Sequence, residues 1–194
     1  KTSLMNNTLK TKIAIEVAFG MELIHRLGMI HRDLKIENIM LNYIFEAKII
    51  DFDLVHVTDI EGVKNTLTKG IGTLDYMSPE MLNNEEYTNK TDVYSYGIVL
   101  FAIFTGNVPK QNLTEKMTKK KIPLPRPSSS ISSLCISIIE KCTRFEPEER
   151  PSFTEIIESM CRGSFALAKE VDSRTINNRY SELKRIQERF NLTH

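Results

Sequence analysis

His31-Arg32-Asp33-Leu34-Lys35-Ile36-Glu37-Asn38 is the stretch on which the reading of this chain turns. It packs charges of both signs into a short space, between segments whose patterns are apolar. Upstream, residues 9–27 place Ile13, Val17, Met21 and Ile24 four, four and three apart. That spacing predicts one face of an amphipathic helix, with Gly28 at its end. Downstream, residues 39–41 and 47–50 are short and apolar-rich, and the linker 42–46 is polar at both ends. They predict a small β-hairpin. A charged loop held between a helix and a hairpin is where chemistry would sit.

Asp33 and Asn38, five residues apart on one loop, offer a carboxylate and a carbonyl oxygen. Another carboxylate follows the hairpin, Asp51 in Ile49-Ile50-Asp51-Phe52-Asp53. Magnesium binds hard oxygens, often only one or two from protein, and takes the rest from phosphate and water. Asn38 and Asp51 suit that role. Asp33 would then be free to orient a hydroxyl nucleophile, and Lys35 to neutralise charge on a phosphoryl group. Phosphoryl transfer needs these parts, because positioning and charge stabilisation supply nearly all of its catalysis. The competing reading of the stretch by itself is a charged surface turn.

HRDLKIEN resembles the protein-kinase catalytic loop HRDLxxxN, and further landmarks follow in that family's order. Gly72-Thr73-Leu74-Asp75-Tyr76-Met77-Ser78-Pro79-Glu80 resembles the end of an activation segment, with Ser-Pro-Glu in place of Ala-Pro-Glu. Asp92-Val93-Tyr94-Ser95-Tyr96-Gly97 resembles the start of the family's central buried helix. Arg150, before Pro151, resembles the arginine that pairs with the Pro-Glu glutamate, here Glu80. The resemblance covers about residues 7–161. It implies an α+β, mainly α-helical, protein-kinase-like fold, the C-lobe only, with the small hairpin beside the catalytic loop.

The resemblance also assigns roles. Asp33 is implied as catalytic base, Lys35 as a γ-phosphate contact, and Thr73 as a hydrogen-bonding partner near Asp33 that shapes the substrate site. Asn38 and Asp51 are implied as magnesium ligands, and Met40 as the floor under the adenine. His31 and Phe52 would stack, and Asp92 would anchor the backbone of the catalytic loop. The implied cofactors are ATP and Mg2+, and the implied partner is a protein substrate with a serine or threonine hydroxyl. Lys35 resembles the serine/threonine pattern. Residues 92–106, with Tyr-Ser-Tyr-Gly and Phe-Thr-Gly, resemble the tyrosine-kinase-like group of serine/threonine kinases. Arg32 resembles arginines that pair with a phosphate on the activation loop, with Thr58, Thr66 and Thr68 as candidates. A threonine-rich exposed loop is the plainer reading of those three.

Two departures from the family pattern stand out. Asp53 occupies the place of the glycine in Asp-Phe-Gly, where a left-handed backbone would cost a side chain about 1–2 kcal/mol. No Gly-x-Gly-x-x-Gly occurs in these residues, so the chain is expected to lack the N-lobe that grips ATP and to have negligible activity alone. A pseudokinase or truncated non-catalytic interaction module is therefore the rival reading. A small-molecule phosphotransferase is disfavoured by residues 72–80, which resemble a protein-substrate platform.

The rest of the chain sets limits. It has 194 residues, 41% hydrophobic and 26% charged, with a formal net charge of +1. That is enough for one globular domain, here 1–161 with a charged, helical extension over 162–194. The charge balance argues against bulk nucleic-acid binding. The longest apolar run, 98–104, is too short to span a membrane, and the N-terminal residues show no signal-peptide pattern. Cys135, Cys142 and Cys161 are odd in number and form no CxxC, so reduced thiols in a cytoplasmic protein are expected. Residues 54–77 read as a long loop and 91–105 as a buried helix. Residues 107–130 read as an exposed linker carrying Lys119-Lys120-Lys121. Residues 131–142 and 153–161 read as helices, the second with a Ser152/Glu155 capping box. In the tail, Tyr180, Leu183, Ile186 and Phe190 form an apolar stripe that needs a partner surface.

Overall fold

The first helix, α1, runs Asn7–Arg26. Asn6 caps it by accepting a hydrogen bond from the Leu9 amide, and Gly28, at φ 68°, turns the chain away from it. The expected apolar face is buried, but so are Thr11, Ala14, Ile15, Glu16, Ala18, Phe19 and Glu22. The helix is therefore enclosed on most sides rather than half-exposed. Its neighbours include elements far along the chain, whose contacts a local period cannot register. The computed structural model describes residues 5–57, 74–110, 112–118 and 131–191.

The loop that follows is framed by two small antiparallel ribbons. β1, Met29–Ile30, pairs with β4, His56–Val57. β2, Ile39–Leu41, pairs with β3, Ala47–Ile49, in the register Ile39↔Ile49, Met40↔Lys48 and Leu41↔Ala47. The second ribbon is the predicted hairpin. Its turn is closed by Asn42 Oδ1, which accepts from the amides of Ile44 and Glu46. A turn of 3-10 helix, Ile36–Asn38, carries the chain into it. β4 lies in a segment read from sequence as loop, and two residues are too few to show a period.

Beyond the second ribbon come α2, Pro79–Leu82, and α3, Lys90–Thr105. α3 is buried from Thr91 to Phe104 and ends at Gly106, whose φ of 80° suits glycine. It packs closely on α5, Ser133–Cys142. A Cβ on Gly97 would sit 2.7 Å from a Thr143 methyl and 2.8 Å from Cys142 Cβ, so that helix crossing requires glycine. α4, Leu113–Thr118, interrupts the stretch read as linker, and Lys119, Lys120 and Lys121 lie outside the described residues. α6, Phe153–Arg162, carries both hydrogen bonds of the expected capping box.

The tail forms α7, Ser173–Asn191, which packs on α1. Ile176 is fully buried, and the Tyr180 ring meets Phe19 edge-on at 5.9 Å and Phe165 at 4.8 Å. The expected stripe is thus covered at its N-terminal end, while Ile186 stays exposed. Arg179 donates to Glu16 and is paired with Glu46 and Glu182, which ties α7 to both α1 and the hairpin turn.

Candidate functional site

The polar loop 31–38 is held by a buried acid. Asp92, fully buried at the start of α3, accepts from the His31 amide through Oδ2 and from the Arg32 amide through Oδ1, both at 2.8 Å. The His25 ring nitrogen Nε2 lies 2.9 Å from the same Oδ2. A carboxylate buried so deeply needs such partners, and supplying them fixes the loop against the helical core. The sequence pattern identified Asp92 but missed His25, which lies within an otherwise apolar helix.

His31 continues the chain of contacts. Its ring is buried, reaches the Ile50 carbonyl at 3.2 Å and meets the Phe52 ring edge-on at 5.2 Å. The loop before the hairpin and the segment after it are thereby joined through one side chain. Arg32 adopts a left-handed backbone, φ 69°, and so does Asp51, φ 65°. Asp53, where strain was expected, is not left-handed. The conformational demand falls on Asp51, two residues earlier, and aspartate tolerates it better than most side chains.

Asp33 sits at the centre. Its Oδ2 accepts from Lys35 Nζ at 2.5 Å and from Asn38 Nδ2 at 3.1 Å. Asn38 Nδ2 also donates to the Asp33 carbonyl at 2.8 Å. Both donors bind one carboxylate oxygen. The other, Oδ1, is buried and has no hydrogen-bond partner among the described residues. A buried carboxylate oxygen without a donor is costly in a folded protein, so this one suits a donor from outside the described residues or from a ligand.

With its amide nitrogen turned to Asp33, Asn38 keeps Oδ1 as an acceptor that no hydrogen bond from a described residue is seen to use. The Ile50 amide donates to the Asn38 carbonyl at 2.9 Å, which brings the chain leading into Asp51 alongside Asn38. Asp51 is exposed. These two hard oxygen donors suit magnesium. Among the described residues no group of three or more histidine, cysteine, aspartate or glutamate side chains is arranged to hold a metal ion. Met40 lies on the outer side of β2 with about half its surface open, 55%. Thr73 lies outside the described residues, as do Gly72, Thr58, Thr66 and Thr68. Arg32 donates to the Leu54 carbonyl and to the Tyr87 hydroxyl.

A second buried cluster stands behind residues 74–80. Arg150 donates to both oxygens of Glu80, at 2.6 and 2.8 Å. It also donates to the carbonyls of Arg144, Phe145 and Lys90, and its guanidinium lies 5.1 Å from the centre of the Tyr94 ring. Ser78 and Thr91 share a 2.6 Å hydroxyl contact, and Ser95 Oγ donates to the Tyr76 carbonyl. α2 and its approach are therefore fixed to α3 by buried polar contacts.

Comparison with known proteins agrees with this arrangement. A family profile described as "Protein kinase domain" matches residues 1–160. A probable serine/threonine-protein kinase of Dictyostelium discoideum is 39% identical over 158 residues, covering 79% of this chain and 17% of that protein. The serine/threonine-protein kinase STY17 of Arabidopsis thaliana is 34% identical over 158 residues, covering 77% of this chain and 26% of that protein. The serine/threonine/tyrosine-protein kinase HT1, also of Arabidopsis thaliana, is 34% identical over 151 residues, 75% of this chain and 38% of that protein. The chain spans less than two fifths of the length of each of these relatives.

Proposed function

Because this chain belongs to the protein kinase domain family, we propose that it supplies the catalytic loop and metal ligands of a serine/threonine kinase. The reaction is transfer of the ATP γ-phosphate to a protein hydroxyl. The observation that carries this reading is the buried Oδ1 of Asp33, which has no donor among the described residues while Oδ2 is held by Lys35 and Asn38. A substrate serine or threonine hydroxyl would donate to Oδ1, and the rigid loop would hold it in line with the phosphate.

The roles follow from the contacts. Lys35, beside Asp33, would reach the transferred phosphate and stabilise its charge. Asn38 Oδ1 and the Asp51 carboxylate would hold magnesium, which when bound neutralises the phosphates. Met40 would lie under the adenine. Thr73 is assigned its place near Asp33 on the resemblance alone. The thiols support a cytoplasmic setting: all three cysteines are unpaired, and burial pushes the Cys135 thiol up to about 12. None of the described helices is long and apolar enough to cross a membrane.

The non-catalytic rival drew on Asp53 and on the absence of a glycine-rich loop; the backbone at Asp53 is not left-handed, which removes the strain argument alone. The deciding experiment uses the full-length protein that carries this lobe, assayed for phosphate transfer from ATP to a generic serine/threonine substrate. Asp33→Asn and Asp51→Asn should each abolish transfer, and activity should require magnesium. Activity retained in Asp33→Asn would overturn the reading.

A further inference from the structure

Lys116 lies in α4, in a stretch that the sequence presents as an exposed linker rich in lysine. Yet its side chain has no solvent exposure. Its Nζ donates to the carbonyls of Asp75, at 2.8 Å, and Leu74, at 3.2 Å, and lies 5.0 Å from the centre of the Tyr94 ring. Lysine is almost never fully buried unless paired, and no carboxylate forms an ion pair with this one among the described residues. Its acceptors are backbone carbonyls, in the turn that leads into α2 and Glu80. α4 is tied to α2 again where Asn83 Nδ2 donates to the Met117 carbonyl.

We propose that Lys116 is a positioning residue for the protein substrate: its buried amino group pins residues 74–76 against the Tyr94 face of α3 and so sets the platform on which the acceptor segment rests. This deepens the kinase reading and rests on it. The reasoning is geometric. The same turn is held from below by Ser95 Oγ on the Tyr76 carbonyl. On the other side, only Lys116 reaches the two preceding carbonyls with a side chain among the described residues. The same Tyr94 ring faces both Lys116 and Arg150. The platform and the Glu80 anchor therefore share one support.

The chemistry of the pin makes it sensitive to pH. Burial lowers Lys116 to about 7, opposed by the charges of Asp75 and Glu80. Those carboxylates, and Arg150 across the Tyr94 ring, are the charged groups of the neighbouring elements that face it. Below that value the ammonium carries three donors and a charge for the carbonyls and ring. Burial makes the seated side chain hold its proton less tightly than one released to water, so above that value, where only the released form takes up a proton, the seated state gains and the grip tightens.

The test uses the full-length protein, a generic serine/threonine peptide and magnesium-ATP. Lys116→Met keeps the length of the side chain and removes its donors. The expected result is a peptide KM raised about tenfold, with the KM for ATP and the far-UV spectrum unchanged. In the unsubstituted protein, peptide KM should fall several-fold as pH goes from 6 to 8.5, and Lys116→Met should lose that dependence. Amide exchange over residues 74–82 should be faster in Lys116→Met, while exchange over residues 29–50 is unaltered. Equal peptide KM in the two proteins, or unaltered exchange over 74–82, would overturn the proposal. If Lys116→Met does not fold, a flat pH profile of peptide KM in the unsubstituted protein would overturn it. A full-length protein with no transferase activity would instead refute the kinase reading and the substrate role with it, while amide exchange still reads the pin by itself.

Discussion

Arg150→Met should be among the most damaging substitutions in this lobe, and the structure allows its cost to be worked out. Arg150 is 1% exposed and uses its guanidinium for two hydrogen bonds to Glu80 and three to backbone carbonyls. Removing one partner of a buried ion pair costs about 3–5 kcal/mol, because the other charge is left unsolvated. Glu80, 4% exposed, would be that charge. Each carbonyl that loses its donor adds about 1–3 kcal/mol, though such terms do not sum fully. A loss of at least about 4 kcal/mol is expected, against a total stability for a domain of about 5–15 kcal/mol. With a urea slope of about 2 kcal/mol per molar, the midpoint should fall by about 2 M. The chain contains no tryptophan, so far-UV circular dichroism is the probe of choice. The double variant Glu80→Met/Arg150→Met should recover at least about 2 kcal/mol, since it no longer buries a lone carboxylate. A loss under about 1 kcal/mol in Arg150→Met would show that the cluster does not hold α2 to α3 as argued.

Asp92→Asn replaces one acceptor with a donor facing a backbone amide, so the catalytic loop should shift; kcat should fall about 100-fold, measured by peptide phosphorylation in the full-length protein. Lys116 has a second consequence. Its pKa is about 7 in the fold and near 10.5 when unfolded. Between those values the unfolded chain binds the extra proton, so stability should rise with pH across that window by up to about 5 kcal/mol. Urea unfolding of Lys116→Met should lack that rise. Arg179→Met leaves the buried Glu16 with Lys12, 3.7 Å away, as its remaining cation and the Ala47 amide as donor, at a cost of about 1–3 kcal/mol. Limited proteolysis should then cut within α7 before the rest of the lobe, and equal resistance would argue that apolar contacts alone dock the helix.

Where the sequence carried a local rule, the structure follows it. Ser152 and Glu155 form their capping box, Gly106 ends α3, and the hairpin closes at Asn42. Each of these is decided within a few residues. What escaped was decided by neighbours distant in the chain. α1 looked half-exposed because the cover supplied by α6 and α7 lies more than a hundred residues away. Lys116 fell within a stretch read as an exposed linker, because nothing in Leu113-Thr114-Glu115-Lys116 says that Leu74 and Asp75 will offer their carbonyls.

The site divides along the same line. The groups of the proposed phosphoryl transfer were legible as candidates, because Asp33, Lys35, Asn38 and Asp51 stand in the order of the family pattern. The site's mechanics were not. Both donors fall on Oδ2 of Asp33, and Oδ1 has no partner among the described residues, a matter of tenths of an ångström that no motif encodes. The backbone argument shows the limit most clearly. A glycine replaced by Asp53 suggested strain at that position, yet the left-handed residues are Arg32 and Asp51. Each lies beside a group that the fold holds firmly: His31 under Asp92, and Ile50 on the Asn38 carbonyl. An unfavourable φ persists where neighbouring contacts over-determine it, and those contacts orient the Asp33 loop and the Asp51 carboxylate. Loss of function in Asp92 variants should therefore track the release of Arg32 from its left-handed conformation, not any change at Asp53.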